Sequence, residues 1–559
     1  MSAINQQHPS SVDGTSKDGL EKSTELGATI DVQAVDDLFD TDGPIGEQKQ
    51  TRRYLKPRHV QMMGISGSIG TGLFIGVGTS LAHAGPLGMF LAYTIYALLV
   101  FSTYNAMGEM VCWLPIDGSI IVFGHKYLDD SWGFALGWLY FINSALAVAS
   151  EVSAVAALVN FWTDAVNNAV YVAVISASLV GLNIFGIHIF GEGQFYFSLF
   201  KVLLIMGLLV MTFITMVGGN PAHDVYGFRY WKDPGPFVEY LVSGSTGKFL
   251  GFWSVFVQAA YAYGGPDCVA FAAGETRNPR RVLPSVFRRV IYRLLVFYIF
   301  GVLAVGILCP SNDADLTSGA AGAAASPFVI GVKRLNIPFL PDLINALLMT
   351  SAWSCGLELF FISSRALYSL AIDHKTPALF RFTWRGVPTF CVLAVFAVSL
   401  LAFMSASTSS IEVFTWLTSI VGSGVLVQFI MYHTIYIRFR RAQMAQGIPD
   451  IERPWYRKGQ YYFSIVTLIC YIIIFLTNGF SVFMKGHWSI SSFIFAYASL
   501  LFLLVPWAGY KIVRRGRWLT PLKEVDLYAG RTREQMDFID DPEMEAVTKG
   551  QKFNKWFWG

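Results

Sequence analysis

The sequence predicts an all-α, polytopic membrane protein of twelve transmembrane helices, in which the first and sixth helices are broken. Three observations support this fold class. The 559-residue chain has a mean hydropathy of +0.48 and 14% charged residues, whereas soluble domains carry about 25%. Its apolar residues fall in segments of about twenty, the length that crosses a hydrocarbon core. Two of these segments are rich in glycine, hydroxyl residues or proline, which favour an interrupted helix.

The apolar segments divide the chain into a membrane domain and two polar tails. We assign residues 1–57 to a disordered tail, 58–512 to the twelve-helix domain and 513–559 to a charged tail. The twelve segments lie at 60–82, 87–112, 133–162, 168–190, 194–217, 249–273, 287–309, 338–371, 387–406, 411–437, 462–484 and 489–512.

Basic residues predict the orientation of the membrane domain. They cluster after the even-numbered segments and are sparse in the alternate links. Cytoplasmic links carry the excess of Lys and Arg, so both tails are expected in the cytoplasm. The four clusters are Arg277, Arg280, Arg281, Arg288, Arg289 and Arg293; Arg365, Lys375, Arg381 and Arg385; Arg438, Arg440, Arg441, Arg453, Arg457 and Lys458; and Lys511, Arg514, Arg515 and Arg517.

Several kinds of chemistry find no support in the sequence motifs. The six cysteines are scattered without a CxxC pair, which argues against a disulfide framework and a zinc site. The chain shows no Walker lysine, hydrolase triad or basic nucleic-acid patch. We therefore expect no cofactor, no metal, no nucleic-acid partner and no enzymatic activity. The amino terminus lacks the pattern of a cleavable signal, so the first spanning helix is expected to act as the targeting signal.

The first apolar segment contains the glycine-rich stretch Gly64–Gly76. Two interpretations apply to it. Gly72 and Gly76 form a small-xxx-small pair that suits close helix packing. Alternatively, the helix unwinds there and its freed N–H groups hold an anion at mid-membrane.

A second interrupted stretch, Tyr261–Asp267, lies in the sixth segment and contains Gly-Gly-Pro. Proline removes a backbone donor and favours a break. If segments one to five form one repeat, the two stretches fall on the first helix of each half. Interrupted segments at corresponding positions are typical of a binding site between inverted repeats. This coincidence favours the unwound interpretation of the first stretch.

Ionisable residues inside apolar segments point to function, because they are costly in hydrocarbon. A buried carboxyl can take up and release a proton as access alternates, which makes Glu151 and Asp267 candidates for proton coupling. Lys201 is either a fixed or switchable positive charge, or a scaffold partner of a neighbour. Glu109 and Glu275, near inner ends, are explained more simply as structural ion pairs or caps. The sequence shows no acid-rich shell that would suit sodium.

An ordered series of motifs runs through roughly residues 50–535. Its members are Leu55–Gln61, Gly67–Phe74, Ala84–Pro86, Gly108–Met110, Gly133–Trp138, Gly274–Arg281, Ser363–Arg365 and Leu522–Arg531. The series resembles the fungal amino-acid permeases of the amino acid–polyamine–organocation superfamily. Within that family the chain is most similar to proline-specific permeases, through Glu109–Pro115, Gly227–Trp231, Ser326–Gly331 and Thr350–Ser354.

The resemblance implies a LeuT-like fold of five plus five inverted helices with two more. It further implies proton-coupled import of proline or related neutral amino acids at the plasma membrane, with the amino acid, protons and the lipid bilayer as partners. The amino-acid carboxylate would meet amides and the hydroxyl around Thr71 and Gly72. The ammonium group would face carbonyls of both breaks. The implied substrate-binding residues are Ser66, Ser68, Thr71, Gly72, Tyr261, Tyr263 and Gly264.

Two positions depart from the family pattern. Asp267 stands where related permeases commonly have Glu, so the carboxyl is carried on a shorter arm. Glu358 lies where relatives usually carry small or amide residues. It either alters selectivity or faces a polar neighbour.

Other functions remain open at this stage. A permease of different or broader range is one, and a transporter-like amino-acid sensor that signals through its tails is another. An ion channel is disfavoured because no repeated pore loop or charged ring is present. The tail lysines Lys523, Lys549, Lys552 and Lys555 are either simple solvated residues or sites of ubiquitin-dependent regulation.

Overall fold

The structure is a computed structural model of the full chain. It describes residues 57–116, 118–163, 165–184, 187–265, 267–273, 276, 279–317, 326–384, 386–408, 410–450, 453–514 and 518–528. Nearly all of the expected disordered tail, most of the charged tail, Pro266 and Glu275 lie outside the described residues. So does half of the motif Gly274–Arg281.

Secondary structure in these ranges is helical, apart from isolated bridge residues, which are Thr276 and the pair Trp384 and Val387. The helices are α1 Pro57–Ser66, α2 Val77–Trp113, α3 Ser119–Tyr127, α4 Asp130–Val159, α5 Asn168–Ile184, α6 Ile187–Met216, α7 Arg229–Lys232, α8 Gly244–Ala262, α9 Cys268–Phe271, α10 Pro279–Leu308, α11 Ala314–Thr317, α12 Pro327–Arg334, α13 Leu340–Ile372, α14 Thr389–Ser399, α15 Ser410–Ala445, α16 Gln460–Leu476 and α17 Ile490–Arg514. A π-helical segment, Gly72–Gly76, precedes α2, and 3-10 segments cover Ala378–Arg381, Leu400–Ala406 and Phe480–Phe483.

Eight helical segments of the described chain are long and apolar enough to cross a bilayer, and α5 and α16 are shorter apolar helices. A polytopic all-α membrane protein is therefore confirmed, while the count of twelve spans stays a prediction. One of the eight segments, Gly72–Trp113, is 42 residues long, about twice the length that a single crossing needs.

The sequence predicts a link between segments one and two at 83–86, and the structure interrupts regular helix there, with a kink between two helical stretches. The kink is at Gly85, whose φ is 75°. A Cβ at this glycine would lie 2.8 Å from the Pro236 carbonyl oxygen. Leu87 N–H donates to the same oxygen at 3.0 Å. The link that contains Pro236 therefore accepts a backbone hydrogen bond where the two helical stretches of α2 meet.

The breaks occur where the sequence predicts them. Helix α1 ends at Ser66 and helical structure resumes at Gly72, while α8 ends at Ala262 and α9 begins at Cys268. Tyr298 of α10 bridges the breaks, because its hydroxyl lies 2.5 Å from the carbonyl oxygens of both Ser68 and Ala262. It thereby helps to satisfy backbone acceptors that the interrupted helices leave free.

The two breaks touch each other through glycines. A Cβ at Gly72 would lie 2.6 Å from Ala262 Cα. Gly265 has φ of 103°, and a Cβ there would clash with the Gly67 carbonyl. Both glycines are thus required by close backbone approach, and at Gly265 also by a conformation that other residues rarely adopt.

The end of α2 shows why Glu109 suits a structural role. Its carboxylate accepts hydrogen bonds from the Tyr436 hydroxyl at 2.7 Å and from Arg457 N–H at 3.0 Å. Arg453 lies 3.4 Å away and completes an ion pair. A buried charge with this many partners ties α2 to the segment after α15. This arrangement matches the ion-pair interpretation made from the sequence.

Residues 518–528 of the expected tail pack against the membrane domain. Val525 and Leu527 are buried, and Leu527 O accepts a hydrogen bond from the Trp113 indole at 2.9 Å. Gln446 donates to Val525 O at 2.7 Å. The charged composition of 513–559 predicts a solvated tail, but the buried Val525 and Leu527 anchor this part of it.

Candidate functional site at the two helix breaks

A cavity of about 60 Å³ lies between the two breaks, which is room for a few water molecules on the same measure. Its walls come from both breaks and from α4, α13 and α15. The lining residues are Gly67, Ser68, Gly70, Gly72, Asn143, Ser144, Ala147, Glu151, Tyr261, Ala262, Gly264, Gly265, Asp267, Cys268, Cys355, Leu359, Ile362, Val421, Val425 and Gln428. The lining brings together residues that lie more than 350 positions apart in the sequence, as between Gly67 and Gln428.

Thr71 holds the first break to the cavity wall. Its hydroxyl donates to Glu151 Oε1 at 2.9 Å, and its backbone N–H reaches the same oxygen at 3.4 Å. Thr71 Oγ1 is also 2.9 Å from the Tyr261 hydroxyl. An N–H group freed by the end of α1 is thus satisfied by a side chain from another helix.

Glu151 joins the two breaks. Tyr261 donates to Glu151 Oε1 at 3.3 Å, and Ser150 Oγ lies 3.1 Å from the same tyrosine hydroxyl. Glu151 Oε2 has no hydrogen-bond partner among the described residues, and the side chain lines the cavity. The structure therefore brings three of the predicted site residues, from three different helices, into one network. It also leaves a carboxyl oxygen able to accept a ligand donor or carry a proton.

Asp267 lies at the second break, against a different wall. Its Oδ2 accepts a hydrogen bond from the Tyr432 hydroxyl of α15 at 3.2 Å. Tyr432 in turn contacts the Tyr140 hydroxyl of α4. This carboxyl lines the cavity and is linked by hydrogen bonds to α15 and, through Tyr432, to α4. Its hydrogen bonding therefore depends on the distance between these helices.

Lys201 and Ser66 lie behind the first break. Lys201 Nζ donates to Ser66 O at 2.9 Å, and both residues are buried. That carbonyl belongs to the last turn of α1, where the break removes its helical partner. Ser66 Oγ accepts a hydrogen bond from Gln194 at 2.7 Å. Neither Lys201 nor Ser66 belongs to the described lining of the cavity.

Tyr263 is placed away from the other predicted site residues. Its ring stacks on Tyr298 with centroids 4.3 Å apart and on Tyr96 at 5.8 Å. Its hydroxyl reaches the Tyr93 carbonyl at 3.4 Å. Within the described part of the chain, Gly264 lines the cavity and Tyr263 does not.

Sequence reasoning missed several polar residues at the site. Asn143 and Gln428 line the cavity from α4 and α15. Asn143 lies eight positions before Glu151, a little over two helical turns, so both fall on one side of α4. This spacing is the sequence signal that could have identified Asn143 as a site residue. Tyr298 and Tyr432 carry the other missed contacts, and tyrosines inside apolar segments give no comparable signal.

Comparisons with known proteins identify the family. The family model described as "Amino acid permease" matches residues 59–521. A proline-specific permease of Emericella nidulans is 37% identical over 96% of this chain and 98% of its own length. A probable proline-specific permease of Schizosaccharomyces pombe is 39% identical over 88% of this chain and 90% of its own length.

A solved structure supports the fold. A manganese transporter of Eremococcus coleocola matches with a TM-score of 0.50 and 11% identity, covering 85% of this chain and all of the other. At this identity the similarity concerns the fold alone, which is LeuT-like. The resemblance stated from the motifs is confirmed, and the expectation of a transporter rather than an enzyme follows from the family. The chain belongs to the amino acid permease family.

Proposed function

We propose that the protein imports proline or related neutral amino acids across the plasma membrane, coupled to protons, by alternating access. The observation that carries this proposal is the cavity between two facing helix breaks, where Thr71, Glu151 and Tyr261 form one hydrogen-bonded network. Paired breaks with freed backbone groups suit a zwitterion, because they offer N–H donors and carbonyl acceptors at the same depth.

The carboxylate of the amino acid binds at the start of the π-helical segment. Gly72 begins this segment, and N–H groups at a helix start favour an anion. Thr71 supplies a hydroxyl, and Ser68 lines the same side of the cavity. Gly72 itself lines the cavity.

The ammonium group binds toward carbonyls of the breaks around Gly264 and toward Glu151 Oε2, which has no hydrogen-bond partner among the described residues. Tyr261 orients Glu151 through its hydroxyl. Ser66 acts through the end of α1, and Tyr263 acts by packing against Tyr298. These two predicted residues therefore have positioning roles in the proposal.

The side chain of the substrate faces an apolar wall. Leu359 and Ile362 of α13 and Val421 and Val425 of α15 form it. An aliphatic wall suits a small neutral side chain such as the proline ring. The names of the relatives, both proline-specific permeases, support the same substrate.

Proton coupling is assigned to Glu151, with Asp267 and Lys201 as further participants. A proton on the free oxygen of Glu151 removes its charge and turns that oxygen from an acceptor into a donor. Lys201 fixes a positive charge on the end of α1. Asp267, which is linked to α4 and α15 through two tyrosines, responds to the packing of those helices.

A permease of other or broader range is the second candidate, because Asn143 and Gln428 interrupt the apolar wall with polar groups. Competition of unlabelled amino acids against labelled proline uptake separates the two. We expect proline and small neutral amino acids to compete and charged ones not to. Failure of proline to compete would redirect the substrate assignment. Saturable binding without accumulation would instead support an amino-acid sensor.

Regulation and topology belong to the same proposal. Both tails are placed in the cytoplasm, where Lys523, which is exposed, and the other three tail lysines accept ubiquitin. Epitope tags at each terminus of the protein in intact and permeabilised cells test the topology. Replacement of the four tail lysines by arginine should prolong residence at the plasma membrane, and unchanged turnover would remove the ubiquitin assignment.

A further inference from the structure

Glu358 is a fully buried carboxyl that the proposed mechanism does not use. It lies on α13, and its Oε2 accepts a hydrogen bond from Gln194 Nε2 at 2.7 Å. Its Oε1 has no hydrogen-bond partner among the described residues. The described lining of the cavity excludes it. A buried carboxylate with one oxygen unsatisfied is costly, which favours a group that binds a proton in part of its cycle.

The amide of Gln194 fits both charge states of this carboxyl. Its Nε2 lies within hydrogen-bond distance of Glu358 Oε2, Ser66 Oγ and Ser354 O, at 2.7, 2.7 and 3.2 Å. Its own oxygen has no partner in the part of the chain that the structure describes. A half-turn of the amide exchanges its nitrogen and oxygen. In the observed orientation, ionised Glu358 accepts from the nitrogen. After the half-turn, protonated Glu358 donates its O–H to the amide oxygen, and the Ser354 carbonyl loses its hydrogen bond from Gln194.

Two carboxyls flank the first break, one near each end. A Cβ at Gly67 would lie 3.2 Å from Glu358 Oε1, and a Cβ at Gly70 would lie 2.8 Å from Glu151 Oε1. Glu358 therefore lies beside the α1 end of the break, and Glu151 beside the end where helical structure resumes. Protonation of either group changes the field at the unwound backbone.

Lys201 is the positive charge that both carboxyls share. It interacts electrostatically with Glu151 and with Glu358, and its ammonium is held on Ser66 O. The other titratable groups around Glu358 are the Cys268 and Cys355 thiols, and Asp267 lies next to Cys268. With both glutamates ionised, the three buried groups carry one excess negative charge. A single bound proton makes them neutral.

We propose that Glu358 is a second proton-binding residue, on the α1 side of the first break, and that Gln194 transmits its charge state to Ser66. The proton binds Glu358 Oε1 or Oε2, the amide of Gln194 turns, and the hydrogen bond to Ser66 reverses direction. This inference rests on the proposed proton-coupled uptake and assigns to it a site outside the substrate cavity.

The test uses the full-length protein in proteoliposomes, with labelled proline and a pH gradient of about one unit, worth about tenfold accumulation for one coupled proton. Glu358→Gln keeps the shape of the side chain and removes the titrating group. We expect the pH-driven accumulation to fall about tenfold, while counterflow exchange, which needs no net proton movement, stays within about twofold of wild type. Glu239→Gln, at an exposed acid of an outer link, is the matched control and should change neither rate.

The outcomes separate this inference from the proposed function. If the wild-type protein does not accumulate proline, the proposed function fails and this inference with it. If the wild-type protein accumulates proline and Glu358→Gln does so equally, the inference alone is overturned. Accumulation that follows a sodium gradient and disappears in Glu358→Gln would also overturn it, because the site would then hold a metal cation.

A second variant decides the question if Glu358→Gln does not reach the membrane. Glu358→Asp keeps a titrating group and shortens the arm that reaches Gln194. We expect it to retain accumulation with a shifted pH profile. A pH profile identical to that of the wild-type protein would overturn the proposal.

Discussion

Glu151 accepts hydrogen bonds from both helix breaks, through the Thr71 N–H and hydroxyl and the Tyr261 hydroxyl. One of its oxygens binds Thr71 and Tyr261, residues from the two different breaks, and the other has no hydrogen-bond partner among the described residues. A carboxyl so placed holds both breaks at a fixed distance when it is ionised and loses part of that hold when it is protonated. At the scale of single residues, the proposal therefore predicts separate effects of the hydroxyl of Thr71 and the charge of Glu151.

Thr71→Val removes the hydroxyl and keeps the shape. We expect the KM for proline to rise about tenfold, since one buried hydrogen bond to a charged group is worth about 1.5–3 kcal/mol. Thr94→Val is the control, because the Thr94 hydroxyl bonds only to Phe90 O of its own helix among the described contacts. Initial uptake rates normalised to surface expression give both values. Equal KM values in the two variants would show that the Thr71 hydroxyl does not contribute to proline binding.

Glu151→Gln tests the role of the titratable charge on Glu151 in proton coupling. The amide retains an oxygen that can accept from Thr71, so binding should survive while titration is lost. We expect proton-driven accumulation to fall about tenfold and proline exchange to fall much less. Accumulation ratios at two external pH values provide the measurement. An unchanged accumulation ratio would assign Glu151 a purely structural role.

At the scale of elements, the two breaks work as a pair because glycines let their backbones meet. Gly72 packs on Ala262, and Gly265 packs on the Gly67 carbonyl. Tyr298 adds a hydroxyl that both breaks share. Because the two backbones are in direct contact, a change in the conformation of one break requires a change in the other.

Gly72→Ala should disrupt the contact between the two helix breaks. A Cβ there would lie 2.6 Å from Ala262 Cα, a backbone atom that cannot move aside by a side-chain rotation. We expect uptake to fall about tenfold or more while the protein still reaches the membrane, because overpacking of this kind costs about 1–3 kcal/mol. Gly207→Ala is the matched control in α6, where a Cβ meets nothing within 4 Å. Similar uptake in both variants would contradict the close-contact account.

At the scale of the whole molecule, the cavity is small for an amino acid, since about 60 Å³ holds only a few waters. Substrate entry therefore requires the walls to separate, as alternating access demands. Free Cys268 and Cys355 both line the cavity and report such a movement. The other four cysteines lie outside the described lining and are removable by substitution.

A variant that retains Cys355 alone should react with a membrane-impermeant thiol reagent only while the cavity is open to the side of addition. We expect saturating proline to change the modification rate about tenfold, because the ligand both blocks the thiol and shifts the conformational population. Labelling rates with and without proline measure this effect. A rate independent of proline would argue against a substrate site at this cavity.

Much of this molecule could be predicted from its sequence. The sequence predicts the helical apolar segments, the paired breaks and the buried Glu151, Lys201 and Asp267. Glycine clusters and charged residues are rare inside apolar segments because they are costly in hydrocarbon, so they stand out in the sequence. The interruption between the first two segments was predicted at 83–86, where the structure has the non-helical Gly85. Its contact with Pro236 O joins residues far apart in the sequence and could not be predicted. The packing of Tyr263 away from the cavity, against Tyr298 and Tyr96, was missed, because an unwound segment has no periodicity that says which way a side chain points.

Simultaneous measurement of proline and proton entry tests the central claim most directly. Full-length protein is reconstituted in vesicles that contain a pH indicator, without an imposed pH gradient, and labelled proline is added outside. The account predicts that internal acidification accompanies proline entry, and that Glu151→Gln allows exchange without acidification. Proline entry by the wild-type protein with no change of internal pH would contradict it.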